Sequence, residues 1–189
     1  MHEASPRPAG GALPQILTIG HSTRSAEDLV ELLRRNNVST LVDVRTAPGS
    51  RRMPHFSKAA LEVTMREAGI QYLHAPELGG LRRPRPDSVN GAWRNDGFRG
   101  YADYMQTPEF AAAIDKLIEL ARRRRTAIMC AEAVPWRCHR SLISDALESR
   151  GCEVRHITGP GAPSPHRITP FAVVEGGRVM YPPPDRLPL

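Results

Sequence analysis

Reactive side chains are densest in the segment Cys130-Ala-Glu132-Ala-Val-Pro135-Trp-Arg-Cys138-His139-Arg140. The apolar run Thr126–Cys130 leads into it and reads as a buried strand, Ala131–Trp136 as a turn, and Arg137 or Cys138 as the start of a helix. Amides at a helix N-terminus point outward, bind anions and lower the pKa of a thiol placed beside them. Cys138 is therefore a candidate thiolate nucleophile. Glu132 or His139 could move its proton, and Arg140 could hold a phosphate or carboxylate. The bland alternative is that Cys130 and Cys138 are small buried hydrophobes.

Spacing narrows the choice. A phosphatase pattern of Cys, five residues and Arg does not fit, because counting from Cys130 puts Trp136 where the arginine belongs. Rhodanese-type sulfur transfer also places a cysteine in a strand-to-helix loop, but the glycine-rich cradle it needs is missing here. A metal site is the other option. Cys138, His139, His21 and His156 have suitable chemistry, although no Cys-x2-Cys pair exists and adjacent helical residues such as Cys138 and His139 point apart.

The remaining candidates also sit where apolar runs end. Gly20-His21-Ser22 follows Gln15–Ile19, and His21 is either a strand-end base or a hydrogen-bonded structural histidine. Asp43 and Arg45 alternate on Thr40–Arg45, so they share a face. They could pair with each other. Alternatively, Arg45 holds substrate while Asp43 orients it or acts as base. Arg51-Arg52 and Arg82-Arg83-Pro-Arg85 are basic loop clusters that could clamp phosphates, whereas Arg122–Arg125 reads as a solvated helix end.

Five strands are needed to position these groups: 15–19, 40–45, 70–74, 126–130 and 153–158. Helices are predicted from Ala26 to about Asn36, Lys58 to Ala68, Tyr101 to Gln106, Thr107 to about Arg124, and Arg137 or Cys138 to Arg150. Pro170–Tyr181 reads as a hairpin turning at Gly176-Gly177, and 81–100 as an Arg-rich loop. The alternation predicts an α/β fold: a largely parallel sheet flanked by helices on both faces, with a C-terminal β-hairpin. All parallel strands then end on one edge, where ligands of such sheets bind. Residues 1–14 read as a disordered lead, 15–181 as one domain and 182–189 as a Pro-rich tail.

Composition sets broader bounds. The formal net charge of +6 would attract phosphates, and nucleic acid becomes a candidate partner. The basic residues are nearly all arginine, with Lys58 and Lys116 the exceptions, which points as much to compositional bias as to a binding surface. Three cysteines argue against a disulfide framework and for a reducing cytoplasm. No stretch of about 18 apolar residues is present, so no membrane partner is expected.

Gly20-His21-Ser22, Asp43-Val44-Arg45, Leu78-Gly79-Gly80, Tyr101-Ala102-x-Tyr104-Met105 and Cys130-x-Glu132-x-x-Pro135-x-x-Cys138-His139-Arg140 together resemble the family called domain of unknown function 488, over about Ile16 to Tyr181. The resemblance implies a compact α/β fold with shared positions at His21, Asp43, Arg45, Glu132, Cys138, His139 and Arg140. It supplies no reaction. The leading expectation is an enzyme acting on a phosphate-bearing substrate, a nucleotide or nucleic acid. In it Arg45, Arg140, Asp43 and Ser22 bind, Glu132, His21 and His139 do acid–base work, and Cys138 is nucleophile or helix-cap residue. The alternatives are a non-catalytic nucleic-acid- or nucleotide-binding module and a metal- or thiol-dependent enzyme.

Overall fold

The computed structural model describes residues 14–49 and 52–184. Residues 1–13 of the expected lead, 185–189 of the expected tail, and Arg51 lie outside the described residues. In chain order the elements are β1 (Gln15–Gly20), α1 (Ala26–Arg35), β2 (Thr40–Asp43), α2 (Lys58–Glu67), β3 (Gln71–His74), α3 (Asp96–Tyr104), α4 (Pro108–Arg123), β4 (Thr126–Cys130), α5 (Arg140–Glu148), β5 (Glu153–Ile157), β6 (Ser164–Pro165), β7 (Val173–Glu175) and β8 (Arg178–Met180).

Six strands form one sheet in the order β3-β2-β4-β1-β5-β6. The first five are parallel, and β6 adds two antiparallel residues to the edge of β5. That short strand is not among the five expected from the sequence, because two residues carry no hydrophobic period. The fold is α/β, and the expected hairpin is present as the separate two-stranded sheet β7-β8. Gly176 and Gly177 turn it at φ of 55° and 77°, conformations that cost glycine nothing.

Alternating strand residues face opposite layers, as period-2 geometry requires. Leu17, Ile19, Leu41, Ala127 and Met129 pack with Leu29 and Leu33 of α1 and Leu61 and Met65 of α2. Ile16, Val42, Ile128 and Val154 pack with Phe110, Ile114 and Leu117 of α4 and Leu142, Ile143 and Leu147 of α5. Ser25, Ser57, Asn95 and Thr107 cap α1, α2, α3 and α4 by accepting from a backbone N–H in the first turn.

Two boundaries differ from expectation in ways that shape the site. The second strand stops at Asp43, whose carboxylate accepts from the Arg45 N–H at 3.1 Å and turns the chain out of the sheet. The last helix starts at Arg140, because Pro135–Arg137 forms a separate 3-10 turn that carries Cys138 in extended conformation. Helix α5 is also buried all round, from Arg140 to Leu147, rather than on one face. Val179 and Tyr181, at the end of the hairpin, join the layer that encloses it. Among the described residues, no helix is long and apolar enough to cross a membrane.

Candidate active site at the carboxyl ends of the strands

Gly20, the last residue of β1, is in register with Cys130, the last of β4, and Asp43 of β2 lies opposite Met129. A cleft of about 390 Å³ opens above these strand ends. Arg45, Thr46, Cys130, Glu132, Arg137, Cys138 and His139 line it, and Gly80, Leu81, Asn95 and Phe98 supply the opposite wall. The Arg-rich stretch after Gly80 thus builds part of the cleft.

Cys138 is buried at the floor of this cleft. Its sulfur lies 3.5 Å from His139 Nδ1, while His139 Nε2 donates to the Val44 carbonyl at 3.0 Å. The expectation that these neighbours point apart fails because Cys138 precedes the helix, where successive side chains are not fanned out at 100° intervals. With Nε2 carrying a proton, Nδ1 of the neutral ring accepts from the thiol. A hydrogen bond from the Cys130 thiol lowers the pKa of Cys138 below the ordinary thiol value; His139 and the Arg140 charge add to that and outweigh burial. Burial and the same Cys130–Cys138 hydrogen bond push Cys130 up, so Cys130 stays protonated and donates.

Arg140 is 1% exposed and sits beneath the two cysteines. Its Nε donates to Cys130 Sγ at 2.9 Å, Nη1 to Thr18 Oγ1 at 3.2 Å and Nη2 to the Glu132 carbonyl at 2.6 Å. No carboxylate among the described residues pairs with it. Buried cations are costly unless compensated, and the nearest group able to take negative charge is the cysteine pair. Arg140 therefore faces inward as a charge under the thiols, not outward as a clamp on substrate.

On the other side of the cleft the ion-pair alternative for Asp43 and Arg45 is realised. Arg45 Nε and Nη2 donate to the two carboxylate oxygens of fully buried Asp43, at 2.8 and 2.5 Å. Nη2 also reaches the Phe56 carbonyl, and Nη1 donates to His21 Nε2 at 3.2 Å. Tyr72 donates to Asp43 at 2.7 Å. Four of Arg45's five N–H groups are engaged, leaving one on Nη1. His21 is buried, stacks on Phe56 at 4.2 Å and donates from Nδ1 to the Ser22 carbonyl. Burial lowers its pKa, and the hydrogen bonds fix it as a neutral acceptor. His21 thus accepts from Arg45 and is itself held by the Ser22 carbonyl, and neither His21 nor Ser22 lines the cleft. Glu132 is exposed at the cleft, with its carbonyl held by Arg140.

Glycines make these approaches feasible. A Cβ on Gly20 would lie 1.7 Å from the Glu132 carbonyl oxygen, and one on Gly80 would lie 2.6 Å from His139 Nδ1. The basic loop cluster is turned to internal use. Arg82 stacks on the Tyr104 ring at 3.7 Å and bonds the Gly79 and Glu77 carbonyls, and Arg85 pairs with Asp87. Among the described residues there is no group of three or more His, Cys, Asp or Glu placed to hold a metal ion.

The family described as Domain of unknown function DUF488 matches residues 25–147. The chain belongs to that family. The DUF488 match spans Asp43, Arg45, Glu132, Cys138, His139 and Arg140, while His21 and Ser22 precede it and the hairpin follows it. No curated protein and no solved structure matches the chain.

Sequence reasoning left several participants in this DUF488 site without a role. Thr18 is one apolar-strand residue among others, Cys130 reads as a strand end, and Gly80 as part of a loop. Tyr101, whose hydroxyl donates to the Leu78 carbonyl and whose ring lies 5.1 Å from His139, carries no signal beyond its place in a motif.

Proposed function

We propose that this DUF488 chain is a thiol-dependent enzyme of the cytoplasm in which Cys138 is the nucleophile toward a small anionic, phosphate-bearing substrate. The observation that carries this reading is the placement of Cys138 at the floor of the cleft, between a thiol donor, an imidazole and a buried arginine with no carboxylate partner. His139 takes the thiol proton on Nδ1 while Val44 keeps Nε2 protonated, which leaves a thiolate–imidazolium pair. Sγ then bonds to the electrophilic centre as the leaving group departs with the proton from His139. A water that gives its proton to the exposed Glu132 carboxylate releases the bound group and restores the thiolate. Arg137 at the cleft and the remaining Nη1 proton of Arg45 favour negative charge on the substrate. A reducing compartment keeps the thiols free.

The test is alkylation of the intact protein by iodoacetamide, with rates for each cysteine read by mass spectrometry from pH 4 to 9. Cys138 reacts well below pH 7, while Cys152, whose pKa burial raises to about 11, stays slow. Inorganic phosphate protects Cys138 saturably. A Cys138 that gains reactivity only above pH 8 overturns the nucleophile, and the absence of phosphate protection overturns the anionic substrate.

A further inference from the structure

Asp145 is fully buried on α5 and accepts four hydrogen bonds. They come from His166 Nε2 at 2.7 Å, Thr169 N at 3.0 Å, Thr169 Oγ1 at 2.7 Å and Tyr181 Oη at 2.7 Å. Four donors require an ionised carboxylate. From there His166 Nδ1 meets His156 Nε2 at 2.9 Å, His156 Nδ1 meets Thr18 Oγ1 at 2.8 Å, and Thr18 Oγ1 accepts from Arg140 at 3.2 Å. Arg140 can only donate, and Asp145 can only accept. With both rings neutral, every intervening proton has one place. Thr18 donates to His156 Nδ1, His156 Nε2–H donates to His166 Nδ1, and His166 Nε2–H donates to Asp145.

The buried cation under the thiols and the buried carboxylate on α5 are thus joined by a chain with a single direction. One added proton makes one ring an imidazolium and turns His156 Nδ1 into a donor, so Thr18 must then accept from both sides. His156 and His166 also line a second cleft, of about 370 Å³, with Trp136 and Ser141, so the middle of the chain borders that cleft.

We propose that Thr18, His156, His166 and Asp145 are positioning residues for the Cys138 nucleophile, holding the Arg140 guanidinium against the cysteine pair. The inference rests on the reading of Cys138 as nucleophile. A buried arginine that needed only neutralisation would be served by one carboxylate in contact. Here the carboxylate is four residues away in the chain of bonds, and Arg140 keeps its Nε for a cysteine. The groups facing Cys138 are Cys130 from β4, His139 and Arg140 beside it, and Tyr101 from α3. Those facing His156 are His166, Arg140 and Asp145, with Glu148 of α5 facing His166 and Asp145.

The test is the same alkylation profile on Thr18→Val, Thr18→Ser and His156→Gln in the full chain, with thermal unfolding measured alongside. Thr18→Val keeps the shape and removes the hydroxyl. The midpoint of its Cys138 rate profile rises by about one pH unit, the equivalent of a ten-fold change in the ionisation constant, while the Cys152 rate is unchanged. Thr18→Ser restores the midpoint, which a purely packing role would not require. His156→Gln shifts the profile in the same direction and stands in should Thr18→Val fail to fold. Variants that fold and keep the wild-type profile overturn the positioning inference alone. A wild-type Cys138 that gains reactivity only above pH 8 overturns the nucleophile as well.

Discussion

Substituting Gly80 by alanine should disarm Cys138 without touching it. The new Cβ would lie 2.6 Å from His139 Nδ1, 2.8 Å from Cγ and 3.1 Å from Cε1, so it meets the face of the whole ring. Ordinary contact needs the better part of an ångström more. The ring is held at two points, 3.5 Å from Cys138 Sγ and 3.0 Å from the Val44 carbonyl, and it cannot retreat that far and keep both. Losing a hydrogen bond to an ionised partner costs about 1.5–3 kcal/mol, which raises the thiol pKa by roughly one to two units. Overpacking adds a stability cost of about 1–3 kcal/mol. The assay pairs the pH profile of the iodoacetamide reaction at Cys138, read from pH 4 to 9, with a urea unfolding curve. A profile whose midpoint moves up by about one to two pH units in a folded protein is expected. A Gly80→Ala protein that keeps the wild-type profile would show that His139 does not set the thiol's charge, and the proton route drawn through it would fall.

Two further outcomes follow from buried charge. Burial lowers the His156 pKa from 6.5 to about 4, with the charges of His166 and Arg140 adding to it. Between those values the unfolded chain binds a proton that the folded chain refuses, so stability falls as pH drops from about 6.5 to about 4, by on the order of 2 kcal/mol after allowance for solvent screening. His156→Gln flattens this limb of a pH-dependent urea titration, and an unchanged limb would assign it to another group. Arg45→Ala leaves Asp43 buried with Tyr72 as its remaining side-chain donor and destabilises by about 3–5 kcal/mol in chemical denaturation. Asp43→Asn in the same chain recovers part of that loss, and a single variant within 1 kcal/mol of wild type, roughly the value of an exposed pair, would contradict the enclosed geometry.

The architecture was legible where a strand is an apolar run punctuated by glycine, proline or a cap. Thr126–Cys130 is found with the bounds its residues suggest, and the hairpin turns where Gly176-Gly177 stands. Boundaries slipped where a side chain, not a period, ends an element. Asp43 folds its carboxylate back on Arg45, and Pro135 seeds a separate turn before α5. Helix α3 begins at Asp96, capped by Asn95, ahead of the expected Tyr101, since Gly97 and Gly100 mask its periodicity. The convergence of Arg45, Glu132, Cys138 and His139 on one cleft was readable from strand ends. The direction in which Arg140 points was not, because a guanidinium looks the same in sequence whether it reaches for solvent or for Thr18. Asp145 and His166 were invisible for a related reason: they meet across 21 residues, and each alone reads as an ordinary polar surface residue.

The β7-β8 hairpin lies beyond the stretch that defines the family, yet Tyr181 at its end donates to Asp145, and Val179 and Tyr181 help enclose α5. Helix α5 is therefore completed by residues that follow it in the chain, Val179 and Tyr181. A fragment trimmed to the family boundary at residue 147 would end inside α5 and lose β5, His156, His166 and the hairpin together. Synthesis must reach the C-terminal segment before Asp145 has its partners His166 and Tyr181, so an unfinished chain carries the cysteines without the network that lies behind Arg140.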